Sequence, residues 1–380
     1  MISENYGKLL EKQAIEIDRR TAHKFDLSKL AHEITADKND EVALELISTL
    51  GKIKSTESYP QQWQTEQEII ESLYKYLGAS QVDDYFLALK SSSNMTLSQS
   101  LHELDELVGL PLVKQQVRDL IAFNQIQQLR VKNGLKKTNK TLHMVFLGNP
   151  GTAKTTVARI VGRMYKSIGL LSKGQFIEAS RTDLIAEYQG QTAIKVRKLI
   201  NRARGGVLFI DEAYSITEND HGDSYGRECL TELTKALKDY RDDLVVIVAG
   251  YTDLMTDFFE SNPGLKSRFN TFITFDDYSL DELTGIFKFQ CQQYDYRASE
   301  QVIAEVRQYL QAQLAHKDEY FSNGRLVRNL FDDITMNQAK RLANQPTEEI
   351  KAEDLMNLLP IDVLTISQDT SSIKANEPVV

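Results

Sequence analysis

The chain has 380 residues, 41% of them apolar and 26% charged, which excludes a wholly disordered or fibrous protein and leaves room for two or three domains with a buried core. Its formal net charge is −9, which speaks against a dedicated nucleic-acid binder, because phosphate contacts supply most of that affinity. No run approaches the roughly 18 apolar residues of a membrane span, and the polar start, 1–20, lacks the apolar stretch of a signal peptide, so a cytoplasmic protein is expected.

Residues 1–92 read as an N-terminal all-helical, partner-binding domain. Val42, Ala43, Leu44, Leu46, Ile47 and Leu50 form one helical stripe, and Ile69, Ile70, Leu73, Tyr74 and Leu77 form another. Between them, 53–62, with Gly51 before it and Pro60 within it, reads as a connection. The polar stretch 90–94 reads as a linker. Apolar runs at 142–147, 176–177, 207–210, 244–249 and 272–275 then alternate with helical segments. That pattern implies an α/β domain over 100–277 built on a five-stranded parallel sheet, with strands covered on both faces. From Ser279 the strands stop. Ser279 and Glu282 form a capping box, and Val302, Val306, Leu310 and Leu314, then Leu326, Leu330 and Ile334, recur at helical spacing. A small helical domain is expected over 278–365 and a frayed tail over 366–380.

The chemistry concentrates in the α/β segment. Gly148-Asn149-Pro150-Gly151-Thr152-Ala153-Lys154-Thr155, with Thr156 after it, follows a strand and opens a helix, which is the setting of a P-loop. Triphosphate oxygens need close approach to backbone N–H groups, small residues permit it, and the helix N-terminus adds positive dipole. Lys154 is expected on the β- and γ-phosphates and the Thr155 hydroxyl on Mg²⁺. Ala153 departs from the common pattern, which has Gly there. Ala loses easy access to positive φ, and function is expected to survive the change. Val207 to Ile210 followed by Asp211-Glu212 has the Walker B form: a buried strand presents two carboxylates at its C-terminal end. Asp211 is expected to hold Mg²⁺ and Glu212 to orient the attacking water.

The string Leu104-Asp105-Glu106-Leu107-Val108-Gly109-Leu110, the P-loop, 206–214, and Val248-Ala249-Gly250-Tyr251 resemble the CbxX/CfqX family of AAA+ ATPases. That family includes stage V sporulation protein K, red-type Rubisco activases and the EccA ATPases of type VII secretion. The resemblance covers about residues 100–345 and implies an AAA+ P-loop NTPase with a C-terminal helical lid. It further implies ATP and Mg²⁺ as cofactors, a homo-oligomeric, hexameric ring and remodelling of a protein client. Val108 and Gly109 join the nucleotide site. Arg268, in Asn262-Pro263-Gly264-Leu265-Lys266-Ser267-Arg268-Phe269, matches the arginine finger that acts on the neighbouring subunit's γ-phosphate. Arg325, in Ser322-Asn323-Gly324-Arg325, matches the sensor 2 arginine, and Arg328, one turn on, is a second candidate that reads first as structural. Tyr188, in Glu187-Tyr188-Gln189-Gly190, matches the aromatic tip of pore loop 1, and 218–225 falls where a second pore loop would lie. The sensor 1 position, at Ala249-Gly250-Tyr251-Thr252, stays open.

Several readings are plainer. Lys132, Lys136, Lys137 and Lys140 are expected to be a solvated loop rather than a nucleic-acid patch. Cys229 and Cys291 are expected as buried thiols, and no metal site made by the chain alone is expected. Two alternatives to the remodeller remain: a nucleotide-gated scaffold with slow hydrolysis, and a nucleic-acid motor or loader.

Overall fold

The computed structural model describes residues 2–21, 24–36, 42–54, 63–78, 95–138, 140–186, 188, 190–217, 224–260, 262–346 and 349–363. The chain divides into two compact units, Met1–Met95 with Lys173–Phe176, and Thr96–Ser172 with Ile177–Val380.

The first unit carries helices α1 (Ile2–Arg20), α2 (Leu27–Thr35), α3 (Val42–Lys54) and α4 (Trp63–Leu77). Their core comprises Leu10, Ala14 and Ile17 of α1, Leu27, Ala31 and Ile34 of α2, Ala43, Leu46, Ile47 and Leu50 of α3, and Ile69 and Leu73 of α4. These last two sets are the apolar stripes seen in the sequence. Helix α3 runs through Gly51 to Lys54, so the connection begins later than the glycine suggests; the expected linker at 90–94 lies outside the described residues. Asp18, fully buried on α1, accepts hydrogen bonds from the N–H groups of Leu27 (2.9 Å) and Ser28 (2.7 Å) and from the Ser28 hydroxyl (2.6 Å). It thereby caps α2, whose own N-cap residue, Asp26, contributes no side-chain bond.

The second unit opens with α5 (Leu97–Glu106) and α6 (Pro111–Lys132). Strands β1 (Met144–Gly148), β2 (Phe176–Ala179), β3 (Val207–Ile210), β4 (Val245–Gly250) and β5 (Thr271–Phe275) form a five-stranded parallel sheet ordered β2-β3-β4-β1-β5. Every residue of β3 and β4 is buried, which explains their unbroken apolar runs. Edge strand β5 instead buries only Ile273 and Phe275. The helices between the strands are α7 (Lys154–Ser167), α8 (Arg181–Leu184), α9 (Thr192–Ala203), α10 (Ser224–Asp239), α11 (Thr252–Glu260) and α12 (Pro263–Lys266), with a 3-10 turn at Ala213–Ile216. His143, fully buried, lies 2.9 Å by Nε2 from the Leu237 carbonyl and accepts from the Val246 N–H at Nδ1 (3.1 Å). Burial holds its pKa down at about 4, so it stays neutral and ties α10 to β4.

The lid comprises α13 (Leu280–Gln293), α14 (Glu300–Ala315), α15 (Gly324–Ala343) and α16 (Ala352–Met356). The Ser279–Glu282 capping box is formed as the sequence indicated. One correction applies: strands do not stop at Ser279. Two-residue segments β6 (Arg297–Ala298) and β7 (Asn357–Leu358) pair in parallel. Two residues are too few to carry an alternation pattern, so no period marks these segments in the sequence. Both cysteines are buried thiols, pushed up to about 12 (Cys229) and about 11 (Cys291) by desolvation.

Candidate functional site

A cavity of about 510 Å³ opens at the C-terminal ends of β1, β3 and β4, where an open parallel sheet with reversed strand order offers its crevice. Gly148, Pro150, Gly151, Ala153, Lys154, Thr155 and Thr156 line it from the P-loop. Asp211 and Glu212 line it from the end of β3, Val108 from the segment before α6, and Arg325 and Arg328 from α15. Residues far apart in sequence thus meet at one phosphate-sized set of donors and carboxylates. The lid helix α13 adds Ile286, Phe289, Gln290 and Gln293, an apolar and amide wall that the sequence reading missed because no motif marks it.

The remaining site residues stand behind this wall or elsewhere. Thr152 is fully buried, and its hydroxyl donates to the Asn149 carbonyl (2.7 Å). The Asn149 amide faces away, to the carboxylate of Asp277 (3.0 and 3.1 Å). Gly109 has φ +67, and a Cβ there would lie 2.1 Å from Glu282 Oε1, so this glycine lets the chain pass α13. Gly148 and Gly151 have a similar packing duty: a Cβ would lie 2.2 Å from the Phe275 and Ser322 carbonyl oxygens respectively. Close backbone approach between P-loop, β5 and lid demands them independently of any ligand.

Lys154 opens α7 and donates its ammonium to the carbonyls of Gly148 (2.8 Å) and Asn149 (2.7 Å). Burial pushes its pKa down to about 8, and the Asp211 carboxylate partly opposes that. Glu212 turns the chain out of β3 with φ 49, a left-handed conformation for a non-glycine residue. On the β4 side stands Tyr251, whose ring meets Tyr214 at 5.9 Å and Tyr320 of the lid edge-on at 4.7 Å. Desolvation and then the negative charge of Glu212 raise its hydroxyl pKa.

Thr155 and Asp211 fit a divalent cation of the Mg²⁺ type. Both line the cavity and both offer oxygen, and such ions take one or two protein oxygens with the rest from phosphate and water. The glycine-bounded loop at the N-terminus of α7 equally fits phosphate groups.

Ala153 has φ 69 and ψ 21, the left-handed conformation that glycine adopts without strain. For alanine this costs on the order of 1 kcal/mol. Ala153→Gly should leave ATP turnover within about twofold and stability equal or up to ~1 kcal/mol higher, since glycine's freer unfolded chain offsets part of the relief. Ala153→Val should lower the melting temperature by several degrees. Calorimetric scans decide it; a glycine variant that melts well below wild type would contradict the strain at this position.

Arg268 does not line the cavity. The β1–β5 register runs from Met144↔Thr271 to Gly148↔Phe275, so Arg268, just before β5, lies beyond the end of the sheet opposite the P-loop. At ~3.3 Å per strand residue the separation is about 15 Å or more, beyond the reach of an extended arginine. Its backbone carbonyl accepts from the Thr141 hydroxyl (2.8 Å), and its Nε is buried without a hydrogen-bond partner among the described residues. Tyr188 is 67% exposed, which excludes a half-buried packing role. Residues 187, 189 and 218–223 lie outside the described residues. Of the basic loop, Lys137 pairs with Asp242 (3.2 Å) and Lys140 sits over the Phe123 ring (5.4 Å). No helix among the described residues is long and apolar enough to cross a membrane.

Residues 144–277 match the profile described as "ATPase family associated with various cellular activities (AAA)", and residues 279–373 match the AAA lid domain. Among similar proteins, a chloroplastic ribulose bisphosphate carboxylase/oxygenase activase of Cyanidioschyzon merolae is 39% identical over 269 residues, 70% of this chain and 91% of that protein. Stage V sporulation protein K of Bacillus subtilis is 39% identical over 270 residues, 71% and 83% of the two chains. Protein CbbX of Cereibacter sphaeroides is 39% identical over 264 residues, 69% and 85%. The P-loop, Walker B carboxylates and lid arginine gathered on one cavity, together with these relatives, place the chain in the CbxX/CfqX family of AAA+ ATPases.

Proposed function

We propose that this ATPase hydrolyses Mg-ATP in a hexameric ring of identical subunits and uses the cycle to remodel a protein client. The observation that carries the reading is the split of the site. Lys154, Asp211, Glu212 and Arg325 share one cavity, while Arg268 stands at the far end of the sheet with a buried Nε that has no hydrogen-bond partner among the described residues. An arginine so placed can serve a nucleotide only on a second subunit, and a head-to-tail contact of that kind closes into a ring when its rotation divides the full turn.

In this reading Lys154 and the P-loop N–H groups hold the phosphates, and Thr155 and Asp211 hold Mg²⁺, which neutralises phosphate charge when bound. Glu212 orients the attacking water and accepts its proton. Arg325 reports phosphate state to the lid, Arg328 supports it one turn on, and Tyr251 offers a hydroxyl on the β4 side. Tyr188, exposed, grips the client through apolar contact that demands no sequence. The domain plan follows: 1–92 binds the partner, 100–277 holds the nucleotide, 278–365 is the lid and 366–380 a tail. Sedimentation velocity with Mg-ATP tests the ring. The expected species is six times the 43.2 kDa chain; a chain that stays monomeric at every nucleotide and protein concentration would sink this reading.

A further inference from the structure

We propose that Asp277 is a positioning residue that couples the lid to the P-loop within one subunit, so that lid placement and phosphate affinity are set together. It lies between β5 and α13, at the hinge from sheet to lid. Its carboxylate gathers donors from three parts of the chain. The Asn149 amide reaches both oxygens (3.0 and 3.1 Å) from the P-loop, the Asn323 amide reaches Oδ1 (2.6 Å) from the start of α15, and the Lys317 ammonium reaches Oδ2 (2.5 Å) from the loop before it. The chain of contacts then continues to the phosphate lysine, because the Asn149 carbonyl accepts from Lys154 (2.7 Å). Lid, hinge, P-loop and Lys154 are therefore linked by consecutive polar contacts.

Two features show that the link is built rather than incidental. Asn323 is fully buried in a conformation, φ 48 and ψ −121, that suits glycine, and it is held there by its side chain. Besides Asp277, its amide donates to the Phe321 carbonyl (2.9 Å) and its Oδ1 accepts from the Tyr278 N–H (2.9 Å). The next residue, Gly324, donates its N–H to the Gly151 carbonyl (3.1 Å). A Cβ on Gly324 would lie 2.7 Å from that oxygen, so a glycine on each side lets the two backbones meet. Burial would raise the Asp277 carboxyl, but the bonds from Lys317, Asn323 and Asn149 outweigh it and hold it below its usual value. The carboxylate stays charged, and charged acceptors make the stronger hydrogen bonds. Arg325 lies two residues after Asn323, so any lid rotation that moves the arginine also pulls on this link.

The coupling rests on the reading of the cavity as the nucleotide site, and one experiment separates the two. The affinity of a fluorescent ATP analogue, mant-ATP, is measured for wild type, Asn149→Ala, Lys317→Met and the double variant. Among the described residues the two side chains share no bond with each other, and both bond the Asp277 carboxylate. With Asp277 intact, the double variant should depart from the product of the single effects by about threefold or more, the mark of coupled groups. In an Asp277→Asn background the single effects should multiply. Multiplicative effects with Asp277 intact overturn the proposal, and that arm does not depend on whether the Asp277 variant folds. Asn323→Gly keeps the backbone conformation and removes the amide; about fivefold weaker binding is expected, and wild-type affinity would overturn the side-chain route. A wild-type chain that binds no mant-ATP overturns the nucleotide-site reading instead.

Discussion

Glu212→Gln should bind ATP with near wild-type affinity and turn it over about 10²- to 10⁴-fold more slowly, the range a positioned general base contributes. The carboxylate lines the cavity from the end of β3, beside Asp211, while Arg325 lines it from the lid helix α15. Glutamine preserves shape and can still donate or accept a hydrogen bond, yet it cannot take a proton from water. In the proposed mechanism the rest of catalysis is positioning and charge stabilisation by groups other than Glu212, so binding should persist. Asp211 adds a check on the assignment. Its Oδ1 already accepts the Glu212 N–H (3.1 Å), which orients the pair and leaves its other lone pairs for the cation. Single-turnover hydrolysis measured beside mant-ATP affinity separates the two effects. Wild-type turnover in Glu212→Gln would sink the assignment of the base. If affinity collapses together with turnover, Glu212 serves binding rather than chemistry. If the proposed remodelling cycle holds, the same variant should also act as a trap that retains a protein client while ATP is bound.

The parts of this arrangement differ in how they were written into the sequence. Strands β3 and β4 were legible because both faces are buried, and an unbroken apolar run is the direct consequence. The P-loop was legible because glycines, lysine and threonine at fixed spacing have a phosphate-binding purpose that other folds seldom need together. Ala153 was legible as an irregularity, and the structure gives it a left-handed backbone that explains why glycine is usual there. The reach of α3 past Gly51 was not legible: glycine costs a helix roughly 1 kcal/mol, but Ala43, Leu46, Ile47 and Leu50 pack α3 into a core that overrides it. Arg328, in the sequence a second candidate that reads first as structural, stands on the cavity wall one turn from Arg325. Asp277 carried no signal at all. Its partners sit at 149, 317 and 323, and such long-range polar clusters leave no local pattern. The lid wall formed by Ile286, Phe289, Gln290 and Gln293 lies along one helix face, but helical spacing does not say what that face meets.

Arg268→Ala should lose turnover by about 10³-fold, the scale of an arginine finger, while each subunit keeps an intact P-loop. In the proposed ring the loss is a property of pairs of subunits. Arg268 lies past the wrong end of its own sheet, and the Thr141 hydroxyl fixes its backbone there, so no side-chain rotation brings it to its own cavity. A variant that lacks the finger but keeps Lys154 can therefore be served by a neighbour that lacks Lys154 but keeps the finger. Mixing Arg268→Ala with Lys154→Ala in equal amounts, after dissociation and reassembly, places complete sites at about a quarter of the interfaces if subunits assort at random around a head-to-tail ring. Turnover should rise from near zero towards that fraction of wild type. No recovery on mixing, with sedimentation showing that the mixed rings form, would leave Arg268 a purely structural role. Arg268→Lys refines the outcome. Lysine keeps the positive charge but not the planar fork that spans two phosphate oxygens, so it should restore little of the loss. Full recovery by lysine would mean that the neighbouring site needs only charge. The size of the lysine rescue thus measures how much of the contact between subunits depends on geometry, and it does so at the one residue on which the ring reading most depends.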